Sequence, residues 1–250
     1  PSHSLAGRVL WQRGAKAQAA LEYRLAAAGD PRFLQSVGDE LFAMSRDPEV
    51  VATLGKQAEL LLPTAHWLED HGFHATALNL LLPAENDSNF EAVILRGYVR
   101  LSVHDAQGAL ADGRLATILA AQPGRYESYR LQALALMDLN NLEGALSTID
   151  IGLARTDRSP DLLIIRASVL SRLGRIREAK ESAAELLQRA SSNRETAYAM
   201  ALQGALEESD RKIARATTLY RRATELDAQT SRYWYELARL HHQIGNTREA

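Results

Sequence analysis

Three histidines crowd one short stretch of the chain: His66, His71 and His74, with Glu69 and Asp70 between them. Imidazole nitrogens and carboxylate oxygens are what a divalent transition metal takes as ligands, so the stretch carries the raw material of a metal site. Its spacing matches no ligand motif, and exposed helices and their turns often carry histidine; neither a metal nor a cofactor is expected. His241 and His242 are neighbours and diverge on a helix, which argues against a joint site. The carboxylates Glu207, Glu208 and Asp210 fall where helices should turn, and solvation and capping explain them. There is no phosphate-binding loop, no HExxH helix and no Ser–His–Asp order in a recognisable context. Cysteine is absent, which removes disulfides, thiolate metal sites and thiol nucleophiles. The residues read as noncatalytic.

Composition points the same way. Hydrophobic residues make up 46% of the 250 positions, enough to bury a substantial core, while aromatics are only 6%. Alanine and leucine dominate, which favours helices that approach closely. The formal net charge is −2, so no global basic field invites nucleic acid or an anionic membrane. Only Lys16, Lys56, Lys180 and Lys212 are lysine, and 25 of the 29 basic residues are arginine, a bias of GC-rich bacterial genomes. No apolar run is long enough to span a membrane.

The elements follow from self-similarity. In the stretch from Pro160, the residues Ala167, Leu170, Gly174, Ile176, Ala179, Ala183 and Leu186 mark a helix–turn–helix core. Thirty-four residues earlier stand Ala133, Leu136, Asn140, Leu142, Ala145, Ile149 and Gly152, matched in type at most positions. Small side chains let two antiparallel helices cross closely; Ala167 and Ala179 should be buried at one such crossing. Glycine or asparagine at the turn tolerates a left-handed backbone. The first small residue of successive second helices reads Ala19, Val50, Ala77, Ala109, Ala145, Ala179, Ala216 and Ala250. Asp47–Pro48, Asp30–Pro31 and Ser159–Pro160 read as helix starts with proline at the first position. Pro63 should break or kink the helix around it. The register between Val50 and Pro83 is the least regular.

At the far end, Trp234, Leu237, Ala238, Gly245 and Ala250 stand at offsets 0, 3, 4, 11 and 16. With the repeats above, they resemble the tetratricopeptide repeat. The resemblance covers the second half strongly and the first half with two degenerate units. It implies an all-α, right-handed α-solenoid, read as one continuous array over residues 1–250 with about 7.5 repeats, cut from a longer array. It implies a core place for Trp234; Trp11 and Trp67 fit the pattern less well. Cutting the array should uncover Trp234, Leu237 and Ile244 as an apolar patch or as a contact between neighbouring molecules.

The resemblance also implies that first helices line a concave groove and that a partner protein lies there. Transferred residue by residue, the groove set is Glu91, Tyr98, Glu127, Arg130, Asp138, Asp161, Arg172, Glu208, Tyr235, Arg239 and His242. Across the middle repeats the transferred positions hold Asp39, Glu59, Glu69, Asp70, Glu91, Glu127, Asp138, Asp161 and Glu208 against Arg32, Arg130 and Arg172. The end repeats add Arg8, Arg232 and Arg239. A groove acidic in its middle and basic at its ends fits a partner with a basic central patch. The lysine–asparagine set with which some members clamp a carboxylate terminus is missing, which argues against a chaperone-tail receptor.

The expected function is a protein–protein interaction scaffold. Degenerate Ala-, Leu- and Arg-rich repeats are similar to the periplasmic arrays of outer-membrane exopolysaccharide exporters, the Pel type among them. That similarity implies a periplasmic scaffold that recruits a polysaccharide-modifying enzyme or guides the polysaccharide itself. Two alternatives stay open: a cytoplasmic regulator that binds a peptide or controls an attached DNA-binding domain, and the substrate-selecting array of a glycosyltransferase. Signal peptide and barrel strands, a helix-turn-helix domain, or a nucleotide-sugar domain in the full reading frame would discriminate among the three.

Overall fold

The turns set the architecture. In the computed structural model, Gly14, Arg46, Gly72, His104, Asn140, Gly174, Arg211 and Gly245 all have φ between 56° and 79°. After six of them, the next amide donates to the carbonyl five residues back: Ala15 to Leu10, Phe73 to Leu68, Asp105 to Arg100, Asn141 to Leu136, Arg175 to Leu170 and Lys212 to Glu207, at 2.8–2.9 Å. This closure consumes carbonyls left unpaired at a helix end and turns the chain back. A side-chain cap then opens the second helix in two of them: Asp105 accepts from the Gly108 amide and Asn141 from the Gly144 amide.

The structure describes residues 2–120, 125–243 and 245, with the backbone alone at 31, 84 and 85. Among them are fifteen α-helices and no strand, an all-α architecture of the helical-repeat solenoid class. The chain divides into two compact units, residues 1–121 and 122–250. The first holds α1 (Ser2–Gln12), α2 (Lys16–Gly29), α3 (Leu34–Ser45), α4 (Pro48–Ala52), α5 (Ala58–Asp70), α6 (His74–Leu81), α7 (Phe90–Ser102) and α8 (Ala106–Leu119). The second holds α9 (Glu127–Asp138), α10 (Leu142–Arg155), α11 (Pro160–Arg172), α12 (Ile176–Arg189), α13 (Asn193–Ser209), α14 (Ile213–Leu226) and α15 (Ser231–Gln243). Within each unit, odd-numbered helices pack on the even-numbered helix that follows, and that helix packs on the next odd one.

Small residues sit at fixed distances from most of the turns. Five residues after seven of them come Ala19, Val51, Ala77, Ala109, Ala145, Ala179 and Ala216, all fully buried. Seven residues before six of them come Gly7, Ala65, Gly97, Ala133, Ala167 and Gly204, buried as well; before Arg46 that position is the exposed Asp39, with buried Gly38 one residue earlier. Ala167 and Ala179 are both fully buried on the packed pair α11 and α12, as expected. A Cβ on Gly7 would lie 2.8 Å from the Tyr23 ring, so glycine there makes room for a buried aromatic on the partner helix.

Several expectations are corrected. The inward residue of repeat two is Val51, and Val50 is only half-buried. The left-handed residue there is Arg46, which no glycine or asparagine signals, so the register reads one residue early. Asp47 does cap α4, accepting from the Glu49 amide at 2.9 Å with Pro48 at the first position. Pro63 does not break its helix: α5 runs through it. Only the Glu59 carbonyl, four residues back, loses its amide donor, and Glu59 is exposed to water. Trp234 is not core; it is 49% exposed, with its indole N–H on the Ala228 carbonyl. The buried stripe of α15 is Tyr233, Leu237, Leu240 and His241, and Trp234 points about 100° round the helix from Tyr233. Leu237 is covered, while Ile244 and Ala250 lie outside the described residues. Trp67 is the large core aromatic, packed with Phe42 and Phe73. Trp11 is half-buried beneath the Lys16 ammonium, 5.5 Å from the ring centroid.

Candidate functional site

Several of the carboxylates expected in a groove do a second job: they tie one first helix to the next within a unit. In the first unit, Arg8 of α1 donates to Glu40 of α3 at 2.7 Å, and Tyr23 donates to the same carboxylate oxygen. Asp39 of α3 accepts the Trp67 indole N–H of α5 at 2.9 Å. The His71 ring stacks on Trp67 and brings its Nε2 to 3.5 Å from Asp39. Glu69 of α5 accepts from Ser102 of α7 at 2.8 Å, and its other oxygen meets His74 Nδ1 at 2.8 Å. Because Gly38 lies directly under Trp67, any Cβ there would sit 2.8 Å from the indole nitrogen and displace this bridge. His71 and His74 thus each have their own partner, and no group of three metal ligands converges among the described residues.

The second unit repeats the pattern with other residues. The Tyr126 hydroxyl, just ahead of α9, hydrogen-bonds Asp161 of α11, and burial together with Asp161 and Glu127 raises its pKa while Arg130 opposes them. One oxygen of Glu127 is buried and has no hydrogen-bond partner. Arg239 of α15 reaches back to Glu208 of α13 at 2.6 Å and along its own helix to Glu236 at 2.8 Å. Hydrogen bonds to Glu208 and Glu236 raise the guanidinium pKa. Asp138 ends α9 and Arg172 ends α11 at equivalent, exposed positions. Glu91 begins α7 and is exposed, Tyr98 lies half-buried on the same helix, and Tyr235 and His242 are exposed on α15.

The structure therefore brings together Glu127, Arg130 and Asp161 around Tyr126, and Glu208 with Arg239. Of the nine middle acids, Asp39, Glu69, Asp161 and Glu208 bond a neighbouring first helix or its lead-in residue. The reading of Glu207 and Asp210 as solvated turn residues is corrected too. Both take the Lys180 ammonium of α12, at 2.9 and 2.7 Å, and Glu207 is buried. Hydrogen bonds from Lys180 and Lys212 hold the Asp210 carboxyl down at about 2.

Two features escape a reading of the sequence alone. One is a buried ionic cluster in the α7–α8 hairpin. Arg96, 5% exposed, pairs with Asp112, 2% exposed, at 2.7 Å and with Asp87 at 2.6 Å, and Arg100 reaches Asp112 at 3.1 Å. Burial alone would lower the Arg96 pKa; hydrogen bonds to Asp112 and Asp87 outweigh it. Sequence spacing could have hinted at the pair: Arg96 and Asp112 each precede a glycine, Gly97 and Gly113. The other is a cavity of about 330 Å³ in the second unit, lined by Arg194, Tyr198, Ala201, Leu202, Ala205, Tyr220, Thr230, Arg232 and Tyr233. Arg232 is among the transferred groove positions; Arg194 and Tyr233 are not. Arg194 stands on an extra turn: α13 has 17 residues where α11 and α15 have 13. Burial raises the Tyr233 phenol, Asp227 and Tyr198 push the same way, and Arg194 and Arg232 oppose them.

No family model matches the sequence, and no curated protein matches it. Solved structures do. A tetratricopeptide-repeat protein of Thermus thermophilus superposes with a TM-score of 0.61 at 21% identity, over 74% of this chain and 98% of its own. Another, from Parabacteroides merdae ATCC 43184, gives 0.61 at 16% identity over 96% and 97%. The Cut9–Hcn1 hetero-tetramer of the APC/C contains a chain that gives 0.60 at 14% identity, over 92% of this chain and 42% of that one.

Proposed function

With the tetratricopeptide-repeat fold as premise, we propose that the chain is a noncatalytic scaffold whose first-helix face binds another protein. One observation carries the reading. Side-chain bonds join several pairs of successive first helices within a unit, and equivalent positions on the helices of the second unit present polar, charged and aromatic groups in register: Asp138 with Arg172, Tyr198 with Arg232. A surface held at fixed intervals suits an extended partner, because preset contacts lower the ordering cost of binding. We assign basic groups on that partner to Glu91 in the first unit and to Glu127 and Asp138 in the second. The cavity with Arg194 and Arg232 supplies the positive end.

Within that class we place the protein in a bacterial cell-envelope assembly that exports or modifies exopolysaccharide, in the periplasm, with a polysaccharide-modifying enzyme as the recruited partner. The Ala-, Leu- and Arg-rich degenerate repeats support this placement, and the full reading frame tests it. A signal peptide with barrel strands is the predicted context; a helix-turn-helix or nucleotide-sugar domain contradicts it.

The binding face is tested by Glu91→Lys, Glu127→Lys and Asp138→Lys together. Association with the partner captured by the unaltered chain should slow and lose salt dependence, with the helical signal unchanged. Binding that survives the triple change but is lost in Arg177→Glu, an exposed second-helix position, sinks the model.

A further inference from the structure

The cavity beside α13 and α15 brings two unpaired cations into one lining. Two guanidinium groups, Arg194 and Arg232, line it, and no carboxylate bonds either of them among the described residues. The nearby acids are already occupied. Glu195 accepts from the Ser191 amide and hydroxyl at 2.7 and 2.9 Å, and Asp227 accepts from Thr230 at 2.7 Å. Arg239, about two helical turns along α15 from Arg232, is by contrast neutralised by Glu208 and Glu236. The two arginines are exposed, whereas the phenols of Tyr220 and Tyr233 behind them are buried. Ala201, Leu202 and Ala205 supply an apolar wall. The extra turn of α13 is what carries Arg194 to the rim.

A concave site with an apolar wall and two unpaired cations in its lining selects an anion attached to an apolar body. Guanidinium forks match the planar, two-oxygen geometry of a carboxylate. We propose that this cavity binds an acidic segment of a partner protein, one Asp or Glu side chain seated between Arg194 and Arg232 and its apolar neighbour against Ala201, Leu202 and Ala205. This rests on the reading of the first-helix face as a protein-binding surface and gives that surface a specific anchor.

The test is fluorescence anisotropy of the full chain with a labelled peptide of alternating Leu and Glu, acetylated and amidated at its ends so that only side-chain carboxylates are available. The same peptide with Gln for Glu is the comparison. Saturable binding is expected for the Glu peptide and at least ~10-fold weaker binding for the Gln peptide. Arg194→Gln with Arg232→Gln should cost the Glu peptide a similar factor and leave the Gln peptide unmoved. A melting curve of the double variant matching the unaltered chain excludes a folding effect, and Arg194→Lys should restore part of the binding. Equal affinity for the two peptides, or no change in the double variant, overturns the site. Partner capture that is lost on reversing Glu91, Glu127 and Asp138 but retained in the double arginine variant overturns the cavity alone and leaves the face standing.

Discussion

Asp112 is 2% exposed and holds both Arg96 and Arg100, so its removal leaves a buried guanidinium with only Asp87 and a backbone carbonyl. A buried charge that loses its buried partner is costly, and the half-exposed Asp87 replaces Asp112 only in part. Asp112→Ala should destabilise the fold by about 3–5 kcal/mol in denaturant titration. The double change Arg96→Met with Asp112→Leu should recover most of that loss, since it removes both charges. A double variant no more stable than Asp112→Ala would show that the hairpin needs the ionic bonds for its geometry. Asp210 illustrates the opposite, exposed case. Its carboxyl, held at about 2 by Lys180 and Lys212, lies below the ~3.9 of an unfolded aspartate. A depressed folded value means that the contribution is fully present above the unfolded value and is lost as pH falls through the folded one. The gap in melting temperature between the unaltered chain and Asp210→Asn should therefore be flat above about pH 5 and close toward pH 2. A gap that widens on acidification would contradict the Lys180 and Lys212 pairing.

The helices show why some boundaries can be read and others cannot. Gly14, Gly72, Gly174 and Asn140 announce left-handed turns by residue type, and the hairpins around them fall where the sequence puts them. Arg46, His104 and Arg211 adopt the same conformation without any such signal. Tertiary packing of the flanking helices holds them there, against a modest backbone penalty. That is why the register of repeat two reads one residue early and why Val51, not Val50, faces inward. Trp234 departs from expectation for a related reason: the family position predicts burial, but the apolar stripe of α15 runs through Tyr233 instead. The candidate site is half legible. Single positions such as Tyr198 and Arg232 can be transferred by period, whereas Arg194 sits on a turn of α13 that no other first helix of the second unit has. Lateral bonds such as Trp67 to Asp39 depend on which rotamer each helix allows, and one sequence does not encode that visibly. The crossing of α11 and α12 offers a direct check on the repeat register. Ala167 and Ala179 are both fully buried, so Ala167→Arg buries a charge with no partner and should cost on the order of several kcal/mol. A melting temperature unchanged by that substitution would count against the register.

Across the whole molecule, the hairpins form two units; within each, several odd-numbered helices are bonded to the next, and small residues fall at fixed distances from most of the turns. In such arrays each repeat is stabilised by its neighbours, and a partner that spans several repeats should stabilise all of them at once. Binding therefore predicts a pattern across the molecule as well as at single residues. The most direct test of the scaffold reading is amide hydrogen exchange of the full chain, alone and saturated with its captured partner. The account predicts added protection in the first helices, α7, α9, α11, α13 and α15, strongest around Glu91, Glu127, Asp138 and the cavity at Arg194 and Arg232. Protection concentrated instead in the second helices α8, α10, α12 and α14, with the first helices unchanged, would contradict it.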